Sequence, residues 1–361
     1  FFNGFGDEVR DGIQLKGNTD WLGKRFALNM QAATVIDPQD GEQLRFDGSY
    51  AAVVLDNWII SAGAERRWWG AGWSDSLLIG SGARPLPAIS IRRNHSSPFE
   101  HAFLNWFGAW HFNGFVARLE SEREVENPLL LGMRFSFKPL SQFEVSLSRM
   151  SMFSGGENPS DVSAFFSAVR ADDDIDGEIG AVYSLNGIDI RYSFGSYLAL
   201  YGQAAVSNGG QGNGDLGLVG ADFSLGRLKS GARGWLEVVD TDHGGNGINN
   251  YLGVNYQSGF YYKKRPIGSL VFGCSATVGA LLPLDGDGIV RFSLKFAELI
   301  GGDAYGQSQE DVDLGVLNIG YRTQVFRGEL KAGMQLYSED IQVNGYDAQG
   351  FSLSLGWQKG I

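Results

Sequence analysis

Apolar residues recur at every second position through segment after segment of this chain, and almost nowhere at helical spacing. From Gly350 the chain reads Phe351, Leu353, Leu355 and Trp357, with Ser352, Ser354 and Gly356 between them. The same alternation runs through Leu129, Leu131, Met133, Phe135 and Phe137, and again through Ile188, Ile190, Tyr192 and Phe194. Successive side chains of a strand point to opposite faces, so each segment offers one apolar and one polar surface. Strands of roughly 10 residues repeated without helical partners predict an all-β fold: a transmembrane antiparallel β-barrel of the bacterial outer membrane, lipid outside and water inside.

Composition agrees. A hydrophobic fraction of 43% is enough, because the lumen face of such a barrel is polar. The 52 glycines suit many tight turns and closely approaching strands. Aromatics near the ends of the predicted strands, among them Trp21, Trp58, Trp106, Trp110, Tyr321 and Tyr337, fit the two membrane–water interfaces. A net charge of −12 argues against a nucleic-acid partner. Cys274 is the only cysteine, so no intrachain disulfide can form. The longest uncharged run, 266–284, approaches the length of a membrane helix, but Leu270, Phe272, Cys274, Ala276, Val278, Ala280 and Leu282 alternate with small and polar residues. A strand is predicted there. The chain opens on Phe1-Phe2-Asn3 with no signal peptide in view, as expected of a mature or trimmed chain.

No linker or change of composition divides the sequence, and residues 1–361 read as one barrel domain. About 18 strands are expected. The segments 57–64 and 249–257 look short enough to be loop structure, and 102–110 and 267–282 are expected as strands. A helical piece is expected within 152–169. Several segments read as exposed loops, 65–85 the most unusual of them.

That segment carries the densest cluster of recognition chemistry, Glu65-Arg66-Arg67-Trp68-Trp69-Gly70-Ala71-Gly72-Trp73. Indole faces stack on the C–H faces of sugars, and guanidinium forks bind hydroxyls or uronate carboxylates. The other reading of the same residues is packing, as a plug or as an interface girdle. Elsewhere, Asp172, Asp174, Asp176 and Gly177 match the opening of a calcium loop, but Tyr183 stands where the bidentate Glu belongs. A solvated acidic loop is the expectation, with calcium only a weak alternative and no other cofactor implied. The four histidines show no metal-ligand spacing, and no nucleophile elbow or phosphate loop occurs. No enzymatic activity is expected.

The chain resembles the Wzi-type capsule assembly proteins. The resemblance rests on Arg67-Trp68-Trp69-Gly70-x-Gly72, Ser76-Leu77-Leu78-Ile79 and Ala83-Arg84-Pro85-x-Pro87. It continues through Gly132-Met133-Arg134-x-Ser136-Phe137-Lys138-Pro139, Tyr201-Gly202-Gln203, Ser258-Gly259-Phe260-Tyr261-Tyr262 and Arg265-Pro266-Ile267-Gly268. Ala71 departs from the family's usual Pro, and Gly80 and Gly82 from its Ser and Asn. The resemblance implies an outer-membrane lectin of about 18 strands that holds capsular or exopolysaccharide at the cell surface. Outer-membrane lipid and lipopolysaccharide would surround it, with export machinery as a further contact. The family's N-terminal periplasmic helical bundle is expected to be absent or trimmed here.

On this basis Arg67, Trp68, Trp69, Trp73 and Arg84 form the first set of carbohydrate-binding candidates. Arg149, Tyr261, Tyr262, Lys264 and Arg265 form the second, because they join aromatic faces to positive charge. Strand counting from a periplasmic N-terminus places the Trp-rich segment at the periplasmic end or folded into the lumen. Three rivals stay open: a diffusion porin, a barrel hydrolase and a soluble β-sandwich lectin. The porin's candidate lining is Arg45, Asp47, Arg134, Lys138, Glu144, Asp189, Arg191, Arg291 and Lys295.

Overall fold

The computed structural model describes residues 13–36, 38, 40–170, 174–175, 178–179, 181–208, 215–243, 250–269, 273–299, 312–339, 341–343, 346–348 and 350–358. Among them an 18-stranded antiparallel sheet forms the wall. Its first nine strands are β1 (Ile13–Leu22), β2 (Phe26–Ile36), β3 (Leu44–Arg45), β4 (Tyr50–Leu55), β5 (Trp58–Gly63), β6 (Ala88–Arg93), β7 (Ala109–Arg118), β8 (Leu129–Leu140) and β9 (Phe143–Phe153). The helix α1 (Val162–Arg170) follows. The wall then resumes with β10 (Val182–Phe194), β11 (Leu198–Asn208), β12 (Asp215–Ser224), β13 (Arg233–His243), β14 (Gly273–Pro283), β15 (Ile289–Leu299), β16 (Val312–Val325), β17 (Gly328–Tyr337) and β18 (Phe351–Gln358).

Strands pair antiparallel with their chain neighbours, as in β10–β11, where Asp189 lies opposite Gln203. Both β3 and β4 pair with β2, so they are one strand interrupted at 46–49. Gln31 and Ser49 cover the break: the Gln31 N–H donates to Ser49 Oγ at 2.8 Å, and that hydroxyl donates back to the Gln31 carbonyl at 2.8 Å. Lys16 on β1 lies within electrostatic range of Lys331 on β17, so the first strand of the sheet comes near its last strands.

The alternation read in the sequence sets the two faces. Ile188, Ile190, Tyr192 and Phe194 of β10 point outward and stay exposed, as do Phe351, Leu353, Leu355 and Trp357 of β18. Between and beside them Asp189, Gln203, Asp222 and Glu237 are buried inside. Leu355 is 79% exposed while Asp222 is 0% exposed, the reverse of a soluble protein's distribution. Only a barrel in lipid satisfies both, because a closed ladder pairs the backbone groups that hydrocarbon cannot, while hydrocarbon accommodates the apolar outer side chains. The protein is therefore an outer-membrane β-barrel, and the soluble sandwich is set aside. No described helix is long and apolar enough to cross a membrane.

The two ends differ. Tight turns at 23–25, 56–57, 141–142, 195–197 and 326–327 close one end, with 94–108 its long exception. Connections at the other end are longer, 64–87 among them. Short turns face the periplasm in such barrels and long loops face outside, which orients the molecule.

Several local expectations change. The segment 57–64 supplies β5, a full member of the ladder. The other segment thought short enough for a loop is one: residues 250–257 are no strand and fold inside, with Tyr251 and Tyr256 buried. A short 3-10 helix, Asn105–Phe107, replaces the first part of the strand expected at 102–110. The described part of the strand expected at 267–282 begins only at Gly273. The helical piece is present as α1, capped by Asp161, whose Oδ1 accepts the Ala164 N–H at 2.9 Å. Ala164 and Ala168 seat it against Leu131, Phe153 and Val182. Near the short-turn end, Phe99, Trp106, Phe107, Trp110, Phe135 and Phe137 form an aromatic band; the Phe99 and Trp110 rings stack with centroids 4.6 Å apart. Rings at this depth match the membrane interface.

The candidate carbohydrate-binding end of the barrel

The Trp-rich segment enters from the long-loop end and fills the lumen. It has the backbone of a narrow hairpin: the Trp69 N–H donates to the Ile79 carbonyl at 2.9 Å. Trp69, Trp73, Leu77, Leu78 and Ile79 are all buried, packed with Phe115, Leu185, Leu216, Leu218 and Trp235 of the wall and Tyr251, Tyr256 and Phe260 of the 250–269 loop. The Trp73 and Trp235 indoles stack at 5.1 Å, 14° from parallel. Truncating an aromatic packed in this way costs about 3–5 kcal/mol, so the plug is a structural core.

Its polar groups are met by side chains from the wall and from the 250–269 loop. Glu237 accepts the backbone N–H groups of Trp73 at 2.7 Å and Ser74 at 3.2 Å, and the Tyr201 hydroxyl at 3.0 Å. Gln203 accepts the Leu77 N–H at 2.8 Å and donates to the Trp69 carbonyl at 3.0 Å. Asp75 accepts from Ser269 Oγ at 2.9 Å and from Lys295 Nζ at 3.3 Å. The Tyr251 hydroxyl donates to the Leu77 carbonyl at 2.8 Å, and burial raises that phenol well above its ordinary value. A loop inside a barrel must satisfy its backbone groups this way, since each one left unpaired costs about 1–3 kcal/mol.

Glycine explains how large aromatics fit against the wall. Phe115, Tyr201 and Trp235 each lie directly opposite a glycine of the next strand: Gly132, Gly220 and Gly279. A β-carbon built on Gly132 or Gly279 would stand 2.1 Å from the opposing ring, and one on Gly220 would stand 2.4 Å from it. The rings lie flat over bare backbone and leave the lumen centre to the plug.

Above the plug sits a charged roof. Arg84 donates to Asp47 Oδ1 and Oδ2 at 2.8 and 2.9 Å, to Asp40 Oδ2 at 2.8 Å and to Glu42 Oε2 at 2.6 Å. Arg45 holds the other Asp40 oxygen at 2.7 Å, and Lys263 holds the other Glu42 oxygen. Burial by itself would raise the Asp40 and Glu42 carboxyls, but the hydrogen bonds from Arg45, Lys263 and Arg84 outweigh it and hold both below their ordinary range. Glu120 goes the other way: burial raises its carboxyl despite Arg123 beside it at 3.7 Å.

The first set of candidates is thereby redistributed. Trp69 and Trp73 are 2% and 8% exposed and present no indole face to an external sugar. Arg67 packs over the Phe115 ring at 4.5 Å and donates to Ser90 Oγ at 2.6 Å; burial pushes it down to about 10, so it remains charged at neutral pH. Arg84 is engaged in the roof. Trp68 is half-buried beside them. In the second set, Tyr261 and Tyr262 are buried, and Arg149 is tied to Asn186 Oδ1 at 2.6 Å and to the Val169 carbonyl at 2.5 Å. Lys264 is exposed and Arg265 half-buried at the long-loop end. Asp172 and Asp176 lie outside the described residues, as does the side chain of Asp174; no cluster able to hold a metal occurs among the described residues.

Sequence reasoning missed Glu237, and it quoted Gln203 only within a family motif, because a lone polar residue on a wall strand looks like any lumen position; Asp75, on the plug segment itself, was passed over as an ordinary loop carboxylate. It also missed Arg123, which donates to the Gly259 carbonyl at 2.8 Å and the Tyr261 carbonyl at 3.1 Å and so pins one inner loop to another.

Residues 1–350 match the family described as capsule assembly protein Wzi. The chain belongs to that family. A solved Wzi from Escherichia coli, described as an outer-membrane, carbohydrate-binding β-barrel involved in group 1 capsule assembly, superposes with a TM-score of 0.83 at 19% identity, covering 99% of this chain and 80% of that one. At that identity the likeness shows the fold. An uncharacterised 55.8 kDa protein from the cps region of Klebsiella pneumoniae is 24% identical over 196 residues, 53% of this chain. That match spans 38% of the relative's length. In Wzi terms, the Trp-Trp-Gly signature of this chain is the plug.

Proposed function

We propose that this Wzi-family barrel is an outer-membrane lectin that binds capsular or exopolysaccharide at its long-loop end and helps hold it at the cell surface. The observation that carries the reading is the plug: a barrel whose lumen is filled by its own loop is suited to present a surface rather than pass a solute. The E. coli relative described as carbohydrate-binding supports the same reading. In it the protein does no chemistry on the polymer, and lipopolysaccharide surrounds it as solvent.

Contact falls to groups that the plug leaves at the surface. Lys264 and Arg265 sit on the turn after Tyr262, and Trp68 and Arg149 are partly accessible. The test is polysaccharide retention by cells lacking the gene and complemented with the wild-type chain or with Lys264→Gln/Arg265→Gln. Loss of bound polymer in the null strain and in the variant, with equal barrel levels, is expected. Unchanged retention in the null strain would overturn the reading.

A further inference from the structure

Beneath the plug the lumen wall carries an arc of positive charge although the chain as a whole is acidic. Arg191 of β10 and Arg233 of β13 share one carboxylate: Arg191 Nη2 reaches Asp222 Oδ2 at 2.5 Å and Arg233 Nη1 reaches Asp222 Oδ1 at 3.1 Å. Strand register continues the arc. Arg233 lies opposite Leu281, and Leu281 opposite Arg291. Arg291 lies opposite Gly320, two residues from Arg322, and Arg322 lies opposite Lys331. Arg322 and Lys331 again share a carboxylate, Glu329, at 3.7 and 2.9 Å. Five cations therefore stand along five strands with two carboxylates among them. Lys16 of β1 lies within electrostatic range of Lys331, and elsewhere on the wall Lys138 pairs with Glu144 at 2.9 Å.

Two features make this arc a binding surface. Asp222 is fully buried, whereas the Arg191 and Arg233 side chains are 28% and 35% exposed. Each guanidinium has five N–H donors, and a single shared carboxylate cannot occupy them all. Asp222 also accepts the Trp73 Nε1–H at 3.3 Å, so the arc is fixed to the plug above it. The residues lie within a few positions of the connections at 195–197, 225–232, 284–288 and 326–327, near the periplasmic mouth. Charge in a low-dielectric cup is focused toward that mouth.

We infer that the periplasm-facing half of the lumen is an anion site that takes the carboxylates or phosphates of a glycan chain, with Arg191, Arg233, Arg291, Arg322 and Lys331 as its donors. This site is separate from the long-loop end, and its existence does not depend on lectin activity there. The shared chemistry is an oxyanion presented on a flexible chain, matched by guanidinium forks and an ammonium.

The test uses the full chain in detergent, already carrying Lys264→Gln and Arg265→Gln so that loop-end binding does not contribute. Binding of oligogalacturonate and of neutral maltohexaose is measured calorimetrically at two salt concentrations, with inorganic phosphate as competitor. Oligogalacturonate is expected to bind, to weaken as salt rises, and to lose about tenfold in affinity when Arg233→Gln and Lys331→Gln remove two of the five charges. Arg233→Lys, which keeps the charge and guards against a folding artefact, is expected to lose less. Competition by phosphate would show that both oxyanions are accepted; its failure would restrict the site to carboxylates. Equal binding of the neutral sugar, absence of salt dependence, or unchanged binding in the double variant of a barrel that still shows heat-modifiable migration would overturn the proposal.

Discussion

Glu237 of β13 accepts the backbone N–H of Trp73 at 2.7 Å, joining residues 164 positions apart in the chain. The same carboxylate holds the Ser74 N–H and the Tyr201 hydroxyl, so one wall side chain fixes the inner end of the plug. Glu237→Ala leaves the buried Trp73 N–H and the half-buried Ser74 N–H without that partner and should destabilise the plug by about 2–4 kcal/mol. Glu237→Gln keeps one acceptor and should cost less. Heat-modifiability on gels and protection of the Trp73 and Ser74 amides from hydrogen exchange would register both effects.

A filled lumen predicts closed pores. Wild-type protein in planar bilayers should show little steady current, and replacing residues 66–84 with a short Gly-Ser turn should open a large one. A wild-type conductance typical of an open barrel would revive the diffusion porin.

Ring-over-glycine packing predicts a sensitive position on the wall. Gly279→Ala places a methyl 2.1 Å from the Trp235 ring, where it has no room. Trp235 must tilt, breaking its stack on Trp73. A loss of about 1–3 kcal/mol is expected, with a change in near-ultraviolet circular dichroism as the indole pair separates. The same substitution at Gly356, whose built β-carbon meets nothing within 4 Å, should be nearly silent.

The roof should respond to acid. Asp40 and Glu42 have pKa values below their ordinary 3.8 and 4.5 when folded, so each stabilises the roof fully above those values. That contribution is lost as pH falls through the lowered folded values. Proteolysis of the long loops should therefore be slow and constant near neutrality and should rise only in strong acid. Arg84→Gln removes the shared cation and should shift that rise to higher pH; an unshifted profile would detach Arg84 from the roof.

Much of this architecture was written in the order of residues. Alternation in segments such as 188–194 and 351–357 decides which side chains meet lipid, because a strand can place its apolar set on one face only. The strand number, the tight turns and the family signature follow the chain locally, and so does the helix begun by Asp161.

The plug was not determined that way. Trp69 and Trp73 have the composition of a sugar platform and of a core alike, and what made them a core is distant: Glu237, Gln203, Tyr251 and Trp235 converge on them from strands and loops more than 100 residues away. Nor does net charge reveal the cationic arc, whose members are scattered from Arg191 to Lys331. Sequence sets faces because side-chain direction is a local property of a strand. Which loop fills the lumen, and which charges share a carboxylate, depend on closure of the wall, and only the tertiary structure decides them.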